Sequence, residues 1–301
     1  MDRDETRLMR TSIYTGGTSP VKMIQAAFYH EDCIVYDLED SVSEGEKDAA
    51  RFLIYNLIKY QRPEHKYVIV RVNGIYSREI DEDLEAMVRA RPDALRIPKV
   101  EYAREIQALD NKITAIEEKA GLPVGGIRLW CNIESYTGVL NAREIAKASP
   151  RIEAMALGAE DFTASMMASR SRAGWEIFYA RNAILMACRE AGISAQDAVF
   201  SDIRDIEGLE QDLEMTRTLG FDGKTCIHPS QIDRVNACFT PGAREIRKAE
   251  RVLEALEEAK RNHSGVCTLD GGMIDKPMEL RAKNILAKAR AAGIETGGGG
   301  S

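Results

Sequence analysis

The stretch YVIVRVNGIYSREIDEDLEAMVRARPDALRIPK, residues 67–99, holds one full period of the fold. It opens with the run Tyr67–Val72, continues through a charged segment with helical spacing at Glu82–Arg89, and returns to a second short run at Ala94–Ile97. The runs are nearly continuous in apolar residues rather than alternating, as expected of parallel strands covered on both faces. Strand, helix and parallel strand make one βαβ unit. Outward from this unit the same period recurs. Strands are predicted at Thr11–Tyr14, Cys33–Leu38, Tyr67–Val72, Ala94–Ile97, Ile127–Ile133, Ala154–Leu157, Ala198–Ser201 and Gly223–Ile227. Amphipathic segments at Ala103–Ala120, Ala142–Ala148, Ile177–Ala191 and Leu209–Leu219 lie between them. Gly121, Gly192 and Gly220 stand where helices should stop, because glycine accepts the left-handed C-cap conformation. Eight such repeats predict an α/β fold, a (β/α)8 TIM barrel with additional C-terminal helices; a doubly wound open sheet is the alternative.

No linker-like composition interrupts residues 1–240, which are read as one barrel domain. A long helix at Ala243–Asn262 and a further unit from Gly265 to Ala292 exceed what a barrel needs. Residues 241–294 are therefore expected to form a helical extension that packs on the barrel or on a neighbouring subunit. Residues 295–301, ending in GGGGS, read as an engineered flexible tail outside the fold.

Bulk composition narrows the function. An apolar content of 44% suits a buried core, and a net charge of -7 with scattered lysines and arginines offers no basic stripe for nucleic acid. No apolar stretch approaches the ~20 residues of a membrane span, and the opening MDRDETRLMRTS has no signal-peptide core. The cysteines (Cys33, Cys131, Cys188, Cys226, Cys238 and Cys267) form no CxxC pair and read as reduced core residues of a cytoplasmic protein.

In a barrel the active site gathers at the C-terminal ends of the strands. The residues there are polar although they follow apolar runs: Asp37-Leu38-Glu39-Asp40, Arg71 with Asn73, Pro98-Lys99, Glu134-Ser135, Gly158-Ala159-Glu160-Asp161, Asp202, and His228-Pro229. One such charge has the ordinary reading of a helix cap or a salt bridge. Seven of eight strand ends sharing the feature point to one charged mouth. Glu134 and Asp161, on successive strands, suit a hard cation bound through oxygen, such as Mg2+, with Mn2+ equally acceptable. Four histidines without paired spacing argue against zinc. Arg71 presents a planar fork for a carboxylate or an enolate oxygen. A metal and an arginine aimed at one oxygen would stabilise an enolate, the difficult intermediate of aldol cleavage. Lys99 reads as a salt-bridged or substrate-orienting ammonium rather than a Schiff-base lysine.

With those residues in view, the chain resembles the citrate lyase β-subunit branch of the HpcH/HpaI aldolase superfamily. The likeness runs from about Arg10 to Ala292 through VYDLEDSVSEGEKDAAR (35–51), VRVN (70–73), RIPK (96–99), NIES (132–135), LGAEDF (157–162), FDGKTCIHPSQI (221–232) and GGMIDKPM (271–278). The resemblance implies a barrel enzyme, a homotrimer or hexamer, that binds Mg2+ and cleaves a 3-hydroxy-acyl thioester carried by coenzyme A or an acyl carrier protein, with α and γ lyase subunits as partners. It implies Glu134 and Asp161 as metal ligands, Arg71 as the group that binds the keto-acid half, and Asp40 in the same pocket. It also implies Asp275 as an acid supplied by an adjacent subunit. The plain alternative for Asp275 is a helix N-cap, since Lys276-Pro277 follows, and the same alternative applies to Asp40. The implied reaction splits a citryl thioester into oxaloacetate and an acetyl thioester. Standalone relatives with the same metal motifs act on malyl- or citramalyl-coenzyme A, and other metal-dependent barrel aldolases act on free 2-keto acids.

Two features bear on the comparison. The first strand ends in Ile13-Tyr14-Thr15-Gly16-Gly17 where the family usually has a Phe-Val-Pro-Gly-like turn. The segment Thr163–Gly174, with Arg170 and Arg172, reads either as a solvated loop or as a contact for an acidic carrier or coenzyme A phosphates.

Overall fold

Eight parallel strands pair in chain order and close on themselves, the last against the first. The computed structural model describes residues 7–261, 268–269 and 272–296. In chain order the elements are β1 (Thr11–Gly16), α1 (Pro20–Gln25), β2 (Cys33–Asp37), α2 (Lys47–Gln61), β3 (Tyr67–Arg71), α3 (Ile80–Ala90), β4 (Ala94–Ile97), α4 (Ala103–Lys119) and β5 (Arg128–Ile133). The short helices α5 (Tyr136–Leu140) and α6 (Ala142–Ile145) precede β6 (Ile152–Leu157). Then come α7 (Ala159–Ser165), α8 (Trp175–Ala191), β7 (Ser194–Asp197), α9 (Ile206–Leu219), β8 (Gly223–Cys226) and α10 (Ile232–Phe239). The chain ends in α11 (Ala243–Arg261), a two-strand ribbon of β9 (Thr268–Leu269) and β10 (Gly272–Met273), and α12 (Lys276–Ala291). The fold is the TIM barrel that the repeating pattern predicts, followed by extra helices.

Side chains alternate along a strand, so residues two apart share a face. Cys33, Val35, Tyr67, Ile69, Ala94, Trp130 and Ala154 form one buried apolar cluster. Two residues farther along the same strands stand Asp37, Arg71, Arg96 and Asn132, on the same face. The interior is thus apolar low in the barrel and polar towards the C-terminal strand ends. Gly192 and Gly220 close α8 and α9 in left-handed conformation, at φ 70° and 109°, as their positions predict.

The seventh strand is a correction. It spans Ser194–Asp197, not Ala198–Ser201. Its polar residues are sequestered rather than solvated: Asp197 is fully buried and pairs with Arg181 of α8 and Lys224 of β8, at 2.8 and 2.6 Å. Residues 198–201 follow the strand, and Asp202 lies exposed in the loop beyond it.

The described residues divide into two compact units, residues 9–236 and a second comprising those from 237 onward with residues 7 and 8. The second unit has its own core, with Ile246, Ala249 and Val252 of α11 meeting Ala282, Leu286 and Ala289 of α12. Cys267 and the GGGGS tail lie outside the described residues.

Candidate active site

Arg71 ends β3 with its side chain 10% exposed and is surrounded by acids. Its Nε and Nη2 donate to the two oxygens of Asp37 at 2.6 and 2.7 Å, a bidentate fork. Its Nη1 lies 2.9 Å from Glu39 Oε2 and 3.2 Å from Asp40 Oδ2. Lys99 Nζ reaches Glu39 Oε1 at 2.7 Å and Asp40 Oδ1 at 3.5 Å. The loop carrying Glu39 and Asp40 is held from below by Lys47, whose ammonium donates to the carbonyls of Leu38 and Glu39 and to Asn73 Oδ1. Arg71, Asp40 and Lys99 are thus brought together as the strand-end pattern predicts.

Lys99 follows β4 in a left-handed conformation, φ 53°, which a side-chain-bearing residue adopts at a cost. That turn aims its backbone N–H at Glu134 Oε2, 3.2 Å away, while its ammonium stays with Glu39. Glu134 itself is 5% exposed. Its other oxygen accepts from Asn132 Nδ2 at 2.8 Å. The LGAED turn passes close against it: a Cβ on Gly158 would lie 2.4 Å from Glu134 Cγ, so only glycine leaves the carboxylate its room. Asp161, three residues on, sits exposed in the first turn of α7.

Two carboxyls in this mouth are pushed up from their ordinary values. Burial raises Glu134, with the Asp161 charge adding to it, while the Asn132 hydrogen bond pulls the other way. Burial pushes Glu39 up to about 7, with Arg71 and Lys99 opposing and Glu134 and Asp40 adding. The neighbouring Lys99 and Arg71 are held charged by the same contacts, so the pair pulls both ways and burial decides for the carboxyl. Asp37 shows the opposite balance. Burial acts to raise it, but the Arg71 fork and its other hydrogen bonds outweigh burial and hold it below the usual carboxylate range.

Residues not singled out from the sequence also line the site. Tyr14 of β1 lies with its ring 4.6 Å from the Arg71 guanidinium and 4.9 Å from that of Arg96. Arg96 of β4 is 2% exposed and bonds Asn132 and, across the barrel, Thr225 of β8. Asn132 had a readable signal, since it stands two residues before Glu134 and so on the same strand face.

Other strand-end residues have structural roles. Ser135 caps α5, and His228 accepts from the Ser230 N–H at the turn after β8. Gly17 is required by packing, because a Cβ there would lie 2.5 Å from the Asp37 carbonyl. Arg170 and Arg172 are tied to acids, Arg170 to Glu160 and Glu176, Arg172 to Asp205 and Glu207. Asp48, Glu79 and Glu82 form a further acidic trio, but the Arg51 guanidinium already pairs with all three at 2.6 to 2.9 Å. Asp275 belongs to the second unit, where its side chain accepts from the Met278 N–H and caps α12.

The pattern of the HpcH/HpaI aldolase/citrate lyase family matches residues 10–229, the barrel and its charged mouth. The chain belongs to this family. As a member it is a carbon–carbon lyase by class. It is 42% identical over 285 residues to citrate lyase subunit beta of Leuconostoc mesenteroides subsp. cremoris, covering 95% of this chain and 94% of that one. It is 38% identical over 283 residues to (3S)-malyl-CoA thioesterase of Cereibacter sphaeroides, covering 94% and 95%. Among solved structures, protein CitE of Mycobacterium tuberculosis in complex with magnesium, acetoacetate and coenzyme A aligns with a TM-score of 0.75 at 29% identity, over 94% of this chain and 98% of that one.

Proposed function

We propose that this family member is a cytoplasmic, Mg2+-dependent lyase that cleaves a citryl thioester, on coenzyme A or an acyl carrier protein, into oxaloacetate and an acetyl thioester. The observation that carries the reading is Glu134. It is a buried carboxylate beside Asp161, and among the described residues neither acid has an ion-pair partner. Its two hydrogen bonds come from an amide and a backbone N–H, both uncharged donors. Carboxylate oxygens without sulfur or imidazole nearby fit a hard divalent cation, so Glu134 and Asp161 would hold Mg2+, with Mn2+ able to replace it. When bound, the cation supplies Lewis-acid polarisation of a carbonyl oxygen.

The chain's own residues supply orientation and charge. Pairing with Asp37 uses two of the five N–H groups of Arg71 and fixes its plane. Its Nη1 edge, where half-exposed Asp40 makes the longest contact, is where a keto-acid carboxylate would dock. Lys99 would orient the same half of the substrate. In cleavage the bond between C2 and C3 of the acyl chain breaks, the C3 hydroxyl gives up its proton as the ketone forms, and the electron pair passes to the thioester enolate, which is then protonated at carbon. Glu39, poised near 7, is a group able to hold a proton at neutral pH. Asp40 would assist in the same pocket, and Asp275 supplied by an adjacent subunit would deliver the final proton.

Malyl-coenzyme A cleavage is the second reading; the 38% identity to (3S)-malyl-CoA thioesterase favours malyl-coenzyme A as the substrate, though that relative's name is for thioester hydrolysis. One experiment separates the readings. The protein is mixed with Mg2+ and either citryl-coenzyme A, malyl-coenzyme A or free citrate, and keto-acid release is followed with and without EDTA. EDTA-sensitive oxaloacetate from citryl-coenzyme A is expected, and absent from Glu134→Ala and Asp161→Ala. Glyoxylate from malyl-coenzyme A alone moves the assignment to the second reading. Turnover retained in either variant removes the metal assignment.

A further inference from the structure

An asparagine side chain has one acceptor end and one donor end of nearly equal shape, so its orientation is set by its neighbours. For Asn132 the deciding neighbour is Arg96. The guanidinium Nε donates to Asn132 Oδ1 at 2.6 Å, which turns Nδ2 towards Glu134 Oε1 at 2.8 Å and, at 3.4 Å, the Tyr14 hydroxyl. The reversed orientation would set donor against donor at Arg96 and acceptor against acceptor at Glu134.

Burial works against the Arg96 charge, and the carboxylates of Glu134 and Asp37 counter burial only from beyond ion-pair distance. Arg96 is 2% exposed and, among the described residues, no carboxylate lies within ion-pair distance. Its Nη1 has no hydrogen-bond partner, and Nη2 reaches only Thr225 Oγ1, at 3.3 Å. The ring of Tyr14, 4.9 Å from its central carbon, and that of Trp130 at 5.9 Å give a modest cation–π return. A buried guanidinium without a counter-ion is costly, and an apolar side chain at this interior position would avoid that cost. The one strong bond it makes points along β5 to Glu134.

We propose that Arg96 and Asn132 form a positioning relay: the buried guanidinium locks the Asn132 amide, and the amide locks Glu134 Oε1, so that Glu134 is presented in one orientation to a divalent cation. The proposal rests on the reading of Glu134 as a metal ligand. It concerns positioning, since neither Arg96 nor Asn132 is assigned a contact with substrate.

The test is Mn2+ affinity, titrated into the full chain and followed by the electron paramagnetic resonance signal of free Mn2+, with circular dichroism reporting the fold. Groups that orient a metal ligand typically change affinity about 10- to 100-fold when removed. Arg96→Met and Asn132→Leu are each expected to weaken Mn2+ binding by that range, and the double variant by no more than the more affected of the two singles, because both break one chain. Arg96→Lys, which keeps the charge but not the Nε bond, gives the same reading if Arg96→Met does not fold. Glu134→Gln is measured alongside and is expected to lose Mn2+ binding. If Glu134→Gln binds Mn2+ like the wild type, the metal reading itself fails. If Glu134→Gln loses binding while the Arg96 and Asn132 variants stay within twofold of wild type, the relay is wrong. Losses that multiply in full in the double variant overturn it as well.

Discussion

Glu39 is held between two cations, yet its side chain is only 7% exposed, and burial prevails. The sign of the consequence follows from the two protonation equilibria. Below pH 4.5, the ordinary value, Glu39 is neutral in both the folded and the unfolded chain. As pH rises from there the unfolded chain ionises first, so the folded state loses ground until its own carboxyl ionises at about 7. The loss is roughly 3 kcal/mol at about 1.4 kcal/mol per pH unit. Glu39→Gln is therefore expected to gain stability relative to wild type between pH 5 and pH 8. Urea midpoints of both proteins at the two values, in EDTA, check this; an unchanged difference would mean that Lys99 and Arg71 outweigh burial. At this scale the legible residues were those that end an apolar run with a charge: Arg71, Asp40, Lys99 and Glu134. Arg96 and Asn132 were less legible, although each stood inside a quoted motif. Their meaning depends on which way one amide faces and on the want of a counter-ion, and those are set by β1, β5 and β8 meeting across the barrel.

At the scale of elements, Asp275 is a residue with two readings that one pair of substitutions separates. Its carboxylate caps α12, and Pro277 in the first turn completes an ordinary helix start. Asparagine caps about as well as aspartate but donates no proton at neutral pH, whereas alanine removes both functions. Asp275→Ala is expected to lose about 1 kcal/mol of stability, while Asp275→Asn melts like the wild type. If Asp275 is the acid of the proposed reaction, both variants lose turnover. Thermal melts with thioester cleavage rates check this, and wild-type turnover in Asp275→Asn would leave the residue as a cap alone. Seven of the eight strands were legible, most of them because their apolar runs stand out, and β1 (TSIYTG) and β8 (GKTC) because they fall at the spacing of the repeat. β7 was not, because its Ser194-Ala195-Gln196-Asp197 reads as a turn. Its charge is matched by Arg181 and Lys224, with Asp212 of α9 closing the network, and those partners lie 16, 27 and 15 residues away in sequence. Local composition cannot show that a polar strand is buried when distant ions neutralise it.

At the scale of the molecule, the barrel carries an apolar surface that its own fold leaves uncovered. Trp175, Tyr179 and Met186 of α8 are 73%, 66% and 65% exposed, with Phe178 beside Trp175 at a ring distance of 5.7 Å. Positions 175, 178, 179 and 186 fall on one stripe of a helix, the spacing that normally marks a core-facing side. Here the opposite side of α8 already fills that role through Ile177, Ala180, Ile184 and Cys188. A helix apolar on both sides calls for a second covering surface, and exposed apolar stripes commonly mark contacts between chains. Such a stripe suits the trimer or hexamer that the family resemblance implies, and we propose that α8 lies in its interface. Light scattering on the wild-type chain is then expected to give three or six times 33.5 kDa. The double substitution Trp175→Glu and Tyr179→Glu places two charges in that stripe without touching the buried side of α8. It should lower the mass towards 33.5 kDa while leaving the helical circular dichroism unchanged. A wild-type chain that is monomeric at micromolar concentration would remove the assembly, and with it the route by which a neighbouring subunit's Asp275 could serve the site.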